Sequence, residues 1–146
     1  MSANSEEQRF IWSDAWILTS IILATQRVSP ATLTGIIAAA DYINHAILTR
    51  GELETGLTRL VDAAYVTNDS HGFSLTDKVR SWMATGSRTQ AMPDLSDSVA
   101  EFIGAPLWNA GPLPEAFTEH YISEADYKAA VQQYYAMMRK LAKRKG

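Results

Sequence analysis

Five of the seven residues in RKLAKRK are basic: Arg139, Lys140, Lys143, Arg144 and Lys145. Such a run suits a nucleic-acid backbone or an acidic partner. It equally suits the C-terminus of a helix, where cations compensate the dipole. A second set of candidates lies in TRGELETGLTR, where Arg50, Thr55, Thr58 and Arg59 supply donors of the kind that contact phosphates and base edges. Between Arg59 and Lys78 there is no lysine or arginine. His71 is the one group there that can become cationic, with an unperturbed pKa of about 6.5. It is read as an exposed turn residue rather than a phosphate contact.

Chemistry of other kinds is not signalled. The chain has no phosphate-binding glycine loop, no HExxH and no GxSxG. It has no cysteine, which removes disulfides, thiolate ligands and cysteine nucleophiles together. His45, His71 and His120 have no ligand-like spacing, and His45 in YINHAI reads as a satisfied histidine at a helix end. Glu119 and His120 are adjacent, so they would not share a helix face as an acid–base pair. The expectation is a protein that is not an enzyme and that holds no metal and no cofactor.

Composition bounds the rest. At 146 residues and 47% hydrophobic content the chain suits about one domain with its own core, on a prior of roughly 100–200 residues per domain. The longest apolar run, Ala15 to Ala24, is half the roughly 20 residues a membrane span needs. The preceding MSANSEEQR lacks the basic character of a secretory leader. A soluble, cytoplasmic chain without membrane attachment is expected. Its net charge of −3 argues mildly against a dedicated nucleic-acid binder, although a local patch can dominate the nearby field.

The elements that must position these residues read as follows. SDAWILTSIILATQ predicts a helix capped by Ser13, with an apolar stripe wide enough for burial on most sides. SPATLTGIIAAADYIN predicts a second, with Ser29 as cap and Pro30 at the first helical position. TRGE, Thr49 to Glu52, matches a capping box, and Leu53, Leu57, Leu60, Val61 and Ala64 follow on one helical face. AYVT and GFSLT then predict two strands about a five-residue loop, Asn68 to Gly72, before a helix capped by Thr76. A short helix from about Ser96 to Ile103 follows. GAPLWNAGPLPE, with Trp108, reads as an ordered strap, and the last helix runs from about Ser123 to Lys143.

Three helices, a hairpin and a further helix, with LTRLVDAAYVTNDSHGFSLTDK at their centre, resemble the winged-helix (winged helix-turn-helix) superfamily. The likeness spans about Ser13 to Met83, and the chain as a whole has the look of a bacterial family of that type. It implies a mainly α fold with a small β-hairpin (α+β). A winged-helix core of three helices and a two-stranded wing would be followed by a C-terminal helical extension. The corresponding division is a tail at 1–12, the winged-helix domain at 13–86, and the extension at 87–146 packed on it within the same structural domain. Gly51 to Ala63 would be the recognition helix and Val66 to Leu75 the wing.

Two function classes follow from that resemblance. One is a DNA-binding, transcription-regulator-like protein acting on double-stranded DNA through Arg50, Thr55, Thr58, Arg59, His71 and the basic run. The other is a winged-helix module that binds no DNA and serves protein interaction or homodimerisation. Placing Leu57 at the core centre puts Glu52, Thr55, Arg59 and Asp62 on the outward face, where two carboxylates outweigh one guanidinium. Tyr127, Val131, Tyr134, Met138 and Leu141 recur at spacings of 4, 3, 4 and 3 in the last helix. They form either a homodimer seam or a stripe packed on its own domain.

Overall fold

The structure, a computed structural model, describes residues 10–85, 94–106 and 119–145. Among them the chain is mainly helical with one antiparallel hairpin: α1 (Trp12–Arg27), α2 (Leu33–Asn44), α3 (Arg50–Asp62), β1 (Val66–Asp69), β2 (Gly72–Leu75), α4 (Asp77–Ala84), α5 (Asp94–Ile103) and α6 (Glu124–Lys145). Of the expected strap, Gly104 to Glu115, the part from 107 onward, including Trp108, lies outside the described residues.

Helix α1 is the centre of the molecule. Ala15, Ile17, Leu18 and Ile21 are wholly inaccessible, as a stripe this wide requires, and α2, α3 and α5 pack around it. Its start differs from expectation. The N-cap is Ile11, and the cap's amide is satisfied by Asp14, whose Oδ2 accepts from Ile11 N at 2.9 Å. Ser13 lies inside the first turn and is not the cap, because the carboxylate one residue later reaches back to the orphan donor.

Helix α2 is also displaced from expectation. It begins after Thr32, whose Oγ1 accepts from Gly35 N at 3.0 Å. Ser29 is not the cap and Pro30 is not helical; the bond between them is cis. The cause lies outside the segment. Ala31 exchanges both backbone hydrogen bonds with Phe73, at 2.7 and 2.9 Å, so the chain stays extended until the bridge is complete. This close approach sets the residue at position 72. A Cβ on Gly72 would stand 2.2 Å from the Ala31 carbonyl oxygen, and its φ of +146° suits glycine.

Helix α3 starts as its sequence predicts, with Glu52 N donating to Thr49 Oγ1 at 3.1 Å and Thr49 N to Glu52 Oε1 at 2.9 Å. Leu53, Leu57 and Leu60 are fully buried, whereas Ala64 lies past the helix end at φ 66° and is exposed. The hairpin pairs Val66 with Leu75 through Asp69 with Gly72, leaving only Ser70 and His71 in the turn. The expected five-residue loop shortens because Asp69 Oδ1 accepts from the amides of His71 (2.7 Å) and Gly72 (3.2 Å). Thr76 precedes α4, but its hydroxyl donates to Ala64 O at 2.7 Å instead of capping.

Residues on both sides of the expected boundary at 86 share one core. Val99 and Ala100 of α5 are buried against α1, and Trp82 stacks on Phe102 at 4.5 Å. Helix α6 lies across α2, with Ala130 and Tyr134 buried.

Candidate interaction surfaces on α3, the hairpin and α6

The face of α3 expected to point outward is largely occupied by the chain itself. Arg59 makes a bidentate pair with Asp14, Nε to Oδ2 and Nη2 to Oδ1, both 2.8 Å. The Asp14 side chain is inaccessible and that of Arg59 is 31% exposed. Glu52 is buried in its capping box, and Thr55 is half-buried with its hydroxyl on Gly51 O at 2.8 Å. Of the four residues expected on that face, only Asp62 is exposed. The wheel placed them correctly relative to Leu57, but α1 crosses this side as well. At the crossing a Cβ on Gly56 would meet Ile17 Cδ1 at 2.4 Å. Thr58, also half-buried, donates to Glu54 O at 2.8 Å.

The start of α3 is clasped from the other side by residues 119–122. Arg50 Nε donates to Ile122 O at 2.8 Å, and its guanidinium pairs with Glu119. Glu54 has no accessible surface, and its carboxylate accepts from the amides of His120 (2.9 Å), Tyr121 (2.7 Å) and Ile122. Three charge-assisted bonds are what make a buried carboxylate tolerable. Glu54 was not among the sequence candidates. A signal for it existed, since 100° per residue sets it 60° from Leu57, inside the leucine face.

The hairpin carries little positive charge. His71 is exposed at the turn beside Asp69. Lys78 of α4 is committed to Ala63 O at 3.1 Å and lies 4.1 Å above the Tyr65 ring centre. Arg80 pairs with Asp77 at 2.6 Å. His45 ends α2 in a left-handed conformation, its amide donating to Asp41 O. Among the described residues no cluster of histidine and carboxylate side chains suits a metal ion.

Helix α6 divides in two. Tyr127 donates to Leu48 O at 2.6 Å, Val131 is half-buried, and Tyr134 donates to a carboxylate oxygen of Asp41. Burial, reinforced by that hydrogen bond and the charge of Asp41, pushes the Tyr134 hydroxyl up to about 12. Burial, then the charge of Glu52, raises Tyr127. Met138 and Leu141 continue the same stripe but stand 45% and 47% exposed. So the five residues read as one seam are separated into three on the body and two beyond it. Arg139, Lys140, Lys143 and Arg144 are all exposed on this free end, and Lys145 closes the helix. Beside the body-bound half lies an open groove of about 330 Å³ between the hairpin turn, the start of α2 and α6. Thr34 Oγ1 to Gln133 Oε1, 2.9 Å, spans its edge.

No family model, no curated protein and no solved structure matches this chain. Among the described residues no helix is long and apolar enough to cross a membrane.

Proposed function

We propose that this chain is a protein-association module on a winged-helix-type layout, and that α3 does not read DNA. The observation that carries this reading is the internal use of the α3 polar groups: Arg59 on Asp14, Arg50 on Glu119 and Ile122, and Glu54 on three amides. A recognition helix must turn free side chains toward phosphates and base edges. Releasing Arg59 for that purpose would strand a buried carboxylate, and breaking such a pair costs about 3–5 kcal/mol. The apolar residues that emerge uncovered on α6 supply the surface for association instead.

Titration of a generic duplex by fluorescence anisotropy tests this at about 50 mM salt, where phosphate attraction is strong. No saturable binding is expected. Salt-dependent binding that Arg50→Ala abolishes would overturn the reading. A second reading, contact with nucleic acid by the tail alone, is favoured by the exposed bases at 139–144. In that case truncation after Met138 removes binding while Arg50→Ala leaves it unchanged.

A further inference from the structure

Charge is unevenly divided along the chain. Residues 1–138 hold sixteen acidic and eight basic residues, whereas 139–146 hold five basic and no acidic ones. Helix α6 repeats the division on a smaller scale: Glu124 and Asp126 open it, and no carboxylate follows Asp126. At 100° per residue, Asp126, Ala130, Gln133, Met137, Lys140 and Arg144 form a line with steps of 4, 3, 4, 3 and 4. All but Ala130 are exposed. The first half of this line borders the groove, whose α6 wall is Asp126, Ala129, Ala130 and Gln133 and whose opposite wall includes Asp69 and Phe73.

We propose that the partner is a second copy of this chain, joined through antiparallel α6 helices, the basic end of each lying along the groove of the other. This names the partner for the association reading above and rests on it. Antiparallel pairing about a point between Gln133 and Met137 sets Asp126 opposite the second copy's Arg144. It also sets Ala130 opposite Lys140, Gln133 opposite Met137, and Ala129 opposite Leu141. Met137 and Leu141, 45% and 47% exposed in one chain, then come to the level of Gln133 and Ala129 on the groove wall, and the flanking cations approach Asp69 and Asp126. The helix dipoles oppose each other favourably.

Other occupants fit less well. A chain's own tail does not reach its own groove, because Leu141 lies about 16 Å beyond Ala130 along a continuous helix. Parallel pairing, or pairing of the free ends alone, would set five positive charges against five. The antiparallel arrangement is two-fold symmetric, so both contacts form at once and the assembly closes as a dimer.

The absence of cysteine makes the register directly testable by introducing single cysteines into the chain. Analytical ultracentrifugation at micromolar concentration is expected to show a dimer that weakens with salt. Leu141→Lys, at an exposed position, should raise the dissociation constant at least about tenfold, roughly 1.4 kcal/mol, with an unchanged circular dichroism spectrum. Arg144→Glu should weaken the dimer too, and adding Asp126→Lys in the same chain should restore it. Mixed Asp126→Cys and Arg144→Cys chains should form a disulfide-linked heterodimer on oxidation. Arg144→Cys alone should not, since its two copies would lie about 27 Å apart, beyond disulfide reach. A monomeric wild type, a dimer indifferent to Leu141→Lys, or self-linking through Arg144→Cys would each overturn the proposal. A monomer that binds no duplex DNA removes only this inference. Duplex binding through α3 removes the association reading itself, whatever the oligomeric state.

Discussion

Helices α3 and α6 both carry cations that the sequence presents as candidates for contact with a partner, yet they spend them differently. On α3, Arg50 and Arg59 are anchored to Glu119 and Asp14, and the helix is held between α1 and the 119–122 segment. On α6, four cations from Arg139 to Arg144 stand in solvent on a helix end that has left the body. Charge on α3 is thus a matter of folding, whereas charge on α6 is left for the association proposed above. The difference teaches that a basic residue on a helix expected to read DNA says little until its nearest carboxylate is known.

Substitutions can break that distinction or sharpen it. The largest effect is expected from Arg59→Ala, which leaves Asp14 buried without its charged partner and with only the Ile11 amide. The cost should fall near the lower end of about 3–5 kcal/mol, because the guanidinium is partly exposed. Urea denaturation measures it, and a cost below about 0.5 kcal/mol, the range of ordinary surface changes, would erase the contrast between the two helices. Glu54→Gln should cost somewhat less, about 2 kcal/mol. One side-chain oxygen still accepts, but the new amide group faces backbone donors and the charge assistance is lost. A matching loss of hydrogen-exchange protection at His120 to Ile122 would tie that cost to the clasp.

Tyr134→Phe should have the smallest effect, about 1 kcal/mol for one hydrogen bond at neutral pH. Its signature is in the pH dependence. The hydroxyl titrates near 10.0 when unfolded and at about 12 in place, so the folded state holds the proton more tightly. The stabilisation is therefore complete below pH 10 and is lost as the pH rises toward 12. Denaturation midpoints followed across that window should fall in the wild type and fall less in the phenylalanine variant. Equal slopes would separate Tyr134 from the anchoring of α6.

Elements built from neighbouring residues were legible in the sequence. Thr49 and Glu52 announced the start of α3, and the leucines behind them its buried face, because a capping box and a helical stripe are local. The same local reading failed at Ser29 and Pro30, where a good cap sequence yielded to backbone pairing between Ala31 and Phe73, 42 positions away. The candidate surface was harder still. Asp14 with Arg59 and Glu54 with residues 120–122 are contacts across 45 and 66 or more positions. No periodicity encodes them, so Arg59, which looked outward on a helical wheel, was already taken.

The Ala31–Phe73 bridge has a consequence for how the hairpin behaves among its neighbours. Phe73 turns both its backbone groups away from β1, and Ala31 takes them; the other outward carbonyl on that side, Leu75 O, is taken by Arg80. A four-residue strand with a bare edge is a template for any passing extended chain. Here Phe73 N, Phe73 O and Leu75 O are already engaged, so β2 offers little for another extended chain to pair with.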